Sequence, residues 1–213
     1  MSPDTDGADR LQNSLSYEER FWSRGLSRIA GVDEAGRGPL AGPVVAAAVI
    51  LRPGVSVPGA VDSKTISKRK RESLADLNLS EAEAVGVGAA SVREIDRENI
   101  LVSTRLAMTR AIRNLPYAPD HVVVDGLPMK DLGWEHDAVV GGDARVHSVA
   151  CASIVAKVVR DRLMLRLAGR YPRYGWETNM GYGTAEHRAA LEEHGPTPHH
   201  RLTFGGVQMK LGL

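Results

Sequence analysis

Four acidic residues stand at the ends of three apolar segments of the chain. Asp33 and Glu34 follow the first segment, Asp125 ends the second and Asp143 ends the third. A carboxylate at the end of a buried strand is destabilising unless its charge is compensated, and clustered carboxylates repel one another. Because ligands collect at strand ends in open α/β sheets, these acids predict a shared cation site.

The type of ligand atom indicates which cation this site would hold. Oxygen ligands without cysteine or paired histidine partners favour Mg²⁺ or Mn²⁺ over Zn²⁺. Two such ions about 4 Å apart would activate water and stabilise the leaving 3′ oxygen in an in-line attack on a phosphodiester. Any one of the acids could instead be an ordinary turn residue. Three acidic segments together, however, predict a phosphoryl-transfer site.

A glycine-rich loop follows the first pair of acids. Gly31 and Gly36 have the spacing of a phosphate-binding Walker loop, but Arg37 and Gly38 stand where that motif needs lysine and then serine or threonine. The pattern therefore excludes nucleoside triphosphate binding. Glycines beside an arginine instead let backbone amides approach a nucleic-acid backbone, while the guanidinium meets a phosphate or a 2′-hydroxyl. The alternative is a plain tight turn between two strands.

Strands and helices alternate around these motifs. Apolar runs predict strands at 29–33, 44–51, 84–91, 121–126 and 138–143. Capping residues and helical periodicity predict helices at about 16–26, from about 67, from 91 to before 116, at 147–168 and at 184–194. This order predicts an α/β fold with a central mixed five-stranded sheet, flanking helices and a small helical C-terminal part.

The length and composition of the chain suit one domain. We expect residues 1–15 to form a disordered tail and 16–213 a single domain with a helical extension over about 165–213. The formal charge of +1 neither requires nor excludes a nucleic-acid partner. A single cysteine, Cys151, precludes an internal disulfide. Without a signal peptide or an apolar run of roughly 18 residues, we expect a cytoplasmic monomer with no membrane segment.

The chain resembles the ribonuclease HII family in a series of ordered motifs from about Ile29 to the C-terminus. The first is Asp33-Glu34-Ala35-Gly36-Arg37-Gly38-Pro39-Leu40-Ala41-Gly42-Pro43-Val44. The others are Asp62-Ser63-Lys64, Val124-Asp125-Gly126, Gly142-Asp143, the run from Ala152 to Asp161, Gly181-Tyr182 and His199-His200-Arg201. Such an ordered set is specific, whereas a lone Asp-Glu pair would mean little.

The resemblance implies an RNase H-like fold in which Asp33, Glu34, Asp125 and Asp143 are catalytic and bind Mg²⁺ or Mn²⁺, with two ions in the substrate complex. It implies an endoribonuclease that hydrolyses the RNA strand of RNA–DNA hybrids. Such an enzyme also incises duplex DNA 5′ to an embedded ribonucleotide, leaving a 3′-hydroxyl and a 5′-phosphate.

The resemblance also implies a set of substrate contacts. It assigns the junction between a ribonucleotide and the next deoxyribonucleotide to Gly36, Arg37 and Gly38, and packing on the deoxyribose to Tyr182. Further candidate contacts are Ser63, Lys64, Lys157 and Arg160. Lys157 and Arg160 lie three apart on one helix face, so they could reach a phosphate or be plain surface charges. The basic run 68–71 could also grip phosphates, although a solvated helix face is favoured.

Two positions depart from the family pattern. Gly141 and Met180 stand where many members carry lysine, so we expect substrate affinity or metal preference to differ. His194, His199 and His200 could suggest zinc, but no cysteine accompanies them and a packing role is favoured. The stretch 208–211 faintly resembles a sliding-clamp-binding peptide without the aromatic anchor, and an ordinary tail is favoured.

Two rival functions are considered. Ribonuclease HIII has a similar fold but an additional N-terminal domain, for which roughly 28 residues before the first strand leave no room. A non-catalytic module that binds RNA–DNA hybrids would be expected to have lost a carboxylate, and none of the four is replaced.

Overall fold

The computed structural model describes residues 15–60, 63 and 66–211, with side chains described as far as residue 208. The predicted tail therefore lies almost entirely outside the described residues, as does Lys64. The described residues begin with helix α1 at residues 15–22 and continue into strand β1, Ile29–Ala35. Within the described part of the chain, no helix is both long and apolar enough to cross a membrane.

The predicted mixed sheet of five strands is confirmed. The remaining strands are β2 (Val44–Ile50), β3 (Ala84–Ala90), β4 (His121–Asp125) and β5 (His136–Val139). Their order is β3-β2-β1-β4-β5; β1, β2 and β3 pair antiparallel, while β4 pairs parallel to both β1 and β5. Because β1 and β4 are parallel neighbours, their C-terminal ends meet at one edge of the sheet.

Helices cover both faces of the sheet. They are α2 (Lys68–Glu81), α3 (Val92–Glu98), α4 (Ile100–Arg113), α5 (His147–Arg170), α6 (Trp176–Asn179), α7 (Ala185–His194) and α8 (Gly205–Leu211). Alternate residues of β2 pack on α4 on one face and on α5 on the other: Ala48 lies in one buried cluster with Met108, and Ala47 lies in another with Cys151. The run 44–50 is buried throughout, as its continuous apolar character predicts.

Two predicted elements differ from the structure. The helix predicted from residue 91 is divided at Asn99, whose φ is 82° and whose side-chain oxygen caps α4 at the N–H groups of Leu101 and Val102. The strand predicted at 138–143 ends at Val139, because Gly141 takes a left-handed conformation with φ 66°. The chain then forms a short 3-10 helix, Gly142–Ala144, directly before α5.

The C-terminal helices pack against the end of α5 and the loop that follows β1. Trp176 is fully buried there with Leu40, Met164 and Leu191. A backbone bridge joins Ala41 to His200 on the segment between α7 and α8. The loop that carries the glycine-arginine motif therefore packs against residues of the C-terminal segment that are distant from it in sequence.

Candidate metal centre and substrate groove

Three of the four predicted ligands come together. Carboxylate oxygens of Asp33, Asp125 and Asp143 lie within 4.8 Å of one another. Asp33 and Asp125 come from the adjacent ends of β1 and β4, and Asp143 comes from the 3-10 helix that leads into α5. Asp33 and Asp143 are buried, and all the ligand atoms are oxygens, so the cluster can hold a hard divalent cation.

The electrostatics of the cluster fit a cation. Burial raises the pKa of Asp33 well above its ordinary value, and the nearby carboxylates of Glu34 and Asp125 raise it further, while a hydrogen bond from Ser153 opposes the shift. Burial also raises the pKa of Glu34, against the opposing charge of Arg37. A bound divalent cation would supply the compensating charge that these buried acids lack.

Hydrogen bonds fix the orientation of the aspartates. Oδ1 of Asp125 accepts the N–H of Gly142 at 2.7 Å, and Oδ1 of Asp33 accepts the N–H of Glu34 at 2.7 Å. The Ser153 hydroxyl, which hydrogen-bonds Asp33, lies 2.9 Å from the hydroxyl of Ser63. Ser63 is therefore connected to the metal centre through Ser153.

Glu34 lies beside Asp33, with which its side chain shares a hydrogen bond, but it is not one of the three acids whose oxygens all lie within 4.8 Å of one another. Its Oε1 lies 3.2 Å from Nη1 of Arg37, and the side chain of Arg37 is 47% exposed. The fourth predicted ligand is thus adjacent to the cluster but paired with the arginine of the glycine-rich loop.

A groove beside the acids brings most predicted substrate contacts together. It has a volume of about 270 Å³ and contains the edge of the acidic site, the glycine-arginine loop and an exposed tyrosine. It is lined by Glu34, Ala35, Gly36, Arg37, Gly38, Ser63, Ser153, Lys157 and Tyr182. The ring of Tyr182 lies across from Gly38, where an added Cβ would be 3.8 Å from Cε1 of the tyrosine. Lys157 lines the wall and forms an ion pair with Asp161 at 2.7 Å.

Comparison with known proteins identifies the family. A family model described as ribonuclease HII matches residues 30–207. The chain belongs to the ribonuclease HII family. It is a metal-dependent endoribonuclease that acts on RNA–DNA hybrids, and neither a non-catalytic module nor ribonuclease HIII is favoured.

Relatives and solved structures agree with this family assignment. The chain is 54% identical to the ribonuclease HII of Thermosynechococcus vestitus over 194 residues, which cover 90% of each chain. It is similar to ribonuclease H2 from Pyrococcus horikoshii, with a TM-score of 0.75 and 27% identity over 86% of this chain and 96% of that one. It is also similar to a chain of the PCNA:RNase HII complex from Archaeoglobus fulgidus, with a TM-score of 0.70 and 26% identity over 83% and 95% of the two chains.

Arg160, which was predicted to contact a phosphate or to lie at the surface, is buried in the structure. Its guanidinium donates to the carbonyls of Pro43, Ala41 and Met180, each at 3.1 Å. Gly36 leaves the space for it, since a Cβ there would lie 2.0 Å from Nε of Arg160. The prediction that Arg160 contacts a phosphate directly is therefore wrong. The residue instead supports the loops that line the groove.

The basic helix α2 is also only partly a free surface. Arg71 turns inward, where Nε donates to the carbonyl of Ser63 at 2.7 Å and Nη1 lies 3.7 Å from Oδ2 of Asp161. Lys68, Arg69 and Lys70 are exposed, as expected for a solvated face. Arg71 thus fixes the segment that carries Ser63 at the edge of the groove.

Two residues with important contacts were not predicted as site residues. Ser153 orients Asp33, and Arg201 donates to carbonyls of the glycine-arginine loop. The short motif 199–201 was the available sign for Arg201, but its residue types alone do not indicate which backbone groups they contact.

Proposed function

We propose that this ribonuclease incises duplex DNA 5′ to embedded ribonucleotides as well as hydrolysing the RNA strand of hybrids, and leaves 3′-hydroxyl and 5′-phosphate ends. The observation that supports this is the convergence of Asp33, Asp125 and Asp143 beside a groove that also contains Arg37 and Tyr182. The proposal is supported by the position of the acidic cluster next to groups that are suited to contact a sugar-phosphate backbone.

We propose that Asp33, Glu34, Asp125 and Asp143 hold two Mg²⁺ or Mn²⁺ ions in the substrate complex. Such ions supply a water nucleophile and stabilise charge on the leaving oxygen. The protein contributes the fixed carboxylates, with Gly142 and Ser153 orienting Asp125 and Asp33. Burial raises the pKa of Asp33 and of Glu34, and a bound cation would favour the ionised form of both.

In this proposal the loop at Gly36, Arg37 and Gly38 recognises the ribonucleotide through its backbone amides and the Arg37 guanidinium. The half-exposed ring of Tyr182 packs on the deoxyribose that follows, and Ser63, Lys64 and Lys157 contact phosphates. Arg160 acts indirectly, by holding the loop. The loss of lysine at Gly141 and Met180 leaves Arg37 and Lys157 as the main described cations of the groove.

The test is incubation of the enzyme with a DNA duplex that contains one ribonucleotide, with Mg²⁺ and Mn²⁺ titrated separately. We expect a single cut 5′ to the ribonucleotide, and loss of cutting in Asp33→Asn. No incision with either metal, or full activity in Asp33→Asn, would refute the proposal. The same titration on an all-RNA hybrid ranks the two substrates.

A sliding clamp is a second proposed partner. The similar chain from A. fulgidus was solved in a complex with PCNA, and residues 208–211 of this chain, within α8, faintly resemble a clamp-binding peptide. The missing aromatic anchor predicts weak binding. Calorimetry with a bacterial sliding clamp should give a micromolar affinity, and truncation after the buried Val207 should abolish it.

A further inference from the structure

The segment between α7 and α8 contains two adjacent buried residues that belong neither to the acidic cluster nor to the lining of the groove. His200 and Arg201 are 1% and 0% exposed. Neither lines the groove. Their side chains nevertheless connect to the two loops that do, one to the glycine-arginine loop and the other to the tyrosine loop.

Arg201 holds the glycine-arginine loop by its carbonyls. Nη1 donates to the carbonyl of Arg37 at 2.8 Å, Nη2 to that of Gly36, and Nε to that of Gly42 at 3.0 Å. The backbone N–H of Arg201 also donates to the carbonyl of Leu40 at 2.8 Å. Among the described residues no carboxylate forms an ion pair with this guanidinium, so its charge is used on backbone oxygens. A planar fork with several donors can fix both ends of a loop at once.

His200 reaches the tyrosine loop through a second histidine. Nδ1 of His200 accepts the N–H of Thr197 at 2.8 Å, so in the neutral ring Nε2 carries the proton. That proton is directed at Nε2 of His187, 3.0 Å away, which also accepts Nε1–H of Trp176. Nδ1 of His187 then donates to the carbonyl of Tyr182 at 2.9 Å.

The direction of this chain requires both histidines to be neutral. Burial lowers the pKa of His200 to about 3, and it also lowers the pKa of His187. Proton positions are thus fixed from Thr197 to Tyr182 by donors and acceptors that do not titrate. The backbone of Tyr182 is held by a directed set of hydrogen bonds rather than by packing alone.

We infer that His200 and Arg201 are positioning residues that fix the two sides of the substrate groove relative to each other. Because they are consecutive in the chain, the Arg37 loop and the Tyr182 loop are attached to a single point of the backbone. This inference rests on the proposed role of Arg37 and Tyr182 in substrate recognition. The metal ligands are carried by β1, β4 and the 3-10 helix, and are held by other contacts.

The test compares His200→Leu and Arg201→Lys with wild type on the single-ribonucleotide duplex. We expect KM to rise about tenfold or more, with kcat at saturation and the metal concentration for half-maximal activity within about twofold. His200→Gln retains a donor towards His187 and should recover part of the loss. His199→Gln is the matched control, because its ring packs on Tyr171 and connects to neither loop.

Double variants decide whether the residues act through the loops. The effect of Arg201→Lys should largely vanish in an Arg37→Ala background, and that of His200→Leu in a Tyr182→Ala background. Additive effects, or a fall in kcat equal to that in kcat/KM, would overturn the inference. If wild type itself does not cut the duplex, the proposed function fails instead. Melting temperatures identify a variant that fails to fold, and the conservative changes at the same positions then serve for the comparison.

Discussion

The backbone N–H of Gly142 donates to Oδ1 of Asp125 over 2.7 Å. This hydrogen bond joins the end of β4 to the turn that carries Asp143. It therefore fixes the position of the Asp125 carboxylate relative to that of Asp143. A Cβ at Gly142 would lie at van der Waals distance from the same oxygen, 3.4 Å away, so the two segments are in contact here. Asp125 therefore has two functions at the candidate metal centre. Its Oδ1 accepts a hydrogen bond that positions Asp143, and its carboxylate contributes negative charge.

Asp125→Asn should separate these two functions. The amide oxygen can still accept from Gly142, but the negative charge is lost, so we expect kcat/KM to fall at least about 10³-fold. In EDTA the melting temperature should be unchanged or higher, because repulsion within the cluster is reduced. Mn²⁺ should raise the melting temperature of wild type more than that of the variant.

Asp131→Asn is the control for that change. Asp131 forms an exposed ion pair with Arg105 and has a φ of 60°, which asparagine tolerates. It should leave both activity and the metal response unchanged. An Asp125→Asn enzyme with more than a tenth of wild-type activity would contradict the role of this carboxylate.

Arg37→Ala should weaken recognition of the ribonucleotide junction more than it changes metal binding. The guanidinium is half exposed beside the groove and is a donor, not a ligand. We expect KM for the single-ribonucleotide duplex to rise about tenfold, with a smaller change for an all-RNA hybrid. Steady-state kinetics on both substrates measures this, and Arg97→Ala, which removes an exposed arginine paired with Glu98, should have no effect. Equal cutting of both substrates by wild type and variant would disprove it.

The sequence predicted the sheet and most of the metal centre because their determinants are local. A continuous apolar run marks β2, and an apolar run that ends in an acid marks the ends of β1 and β4. Asp143 lies in the acidic cluster, but on a 3-10 helix and not on the predicted strand, because the chain turns at Gly141 in a left-handed conformation. The meeting of the parallel ends of β1 and β4 follows from topology.

The buried arginines could not be predicted from periodicity. Helical spacing puts Arg160 beside Lys157 and therefore at the surface, yet the structure buries it beneath the glycine-arginine loop. The space for it exists because Gly36 has no side chain, and that glycine lies more than a hundred residues away in the sequence. Contacts of this kind depend on tertiary approach, which no local pattern encodes.

Gly31→Ala should destabilise the protein and disturb the metal centre together. A Cβ at Gly31 would lie 2.2 Å from the carbonyl carbon of Ser148, a backbone atom of α5 that cannot rotate away. β1 carries Asp33 and α5 follows Asp143, so separating them would displace the two carboxylates. We expect a loss of about 2–4 kcal/mol in urea unfolding, with weaker metal binding.

Gly169→Ala is the matched control for Gly31→Ala. Gly169 lies within α5, and a Cβ added there would have no neighbouring atom within 4 Å. Alanine should be neutral or stabilising there, by up to about 1 kcal/mol. A Gly31→Ala protein as stable and as active as wild type would show that β1 and α5 can separate without cost.

Because of the buried histidine His147, the free energy of unfolding should be lower in mild acid than at neutral pH. It is fully buried at the start of α5, where Nε2 accepts the N–H of Val57 at 2.8 Å and therefore carries no proton. Burial lowers its pKa from 6.5 to about 4. Between these two values the unfolded chain binds a proton that the folded protein does not, so the free energy of unfolding falls as the pH drops from 6.5 towards 4.

This loss should reach about 3 kcal/mol at pH 4 for His147 alone, since each pH unit within the window contributes about 1.4 kcal/mol. Denaturant unfolding of wild type and His147→Gln at pH 7.5 and pH 4.5 measures it. Glutamine offers an acceptor for Val57 and does not titrate, so the variant should lose about 2.5 kcal/mol less than wild type between the two pH values. The depressed pKa values of His187 and His200 contribute to the fall in both proteins and cancel in the comparison. Equal falls in wild type and variant would mean that His147 is protonated in the folded protein, and that its bond to Val57 is broken in acid.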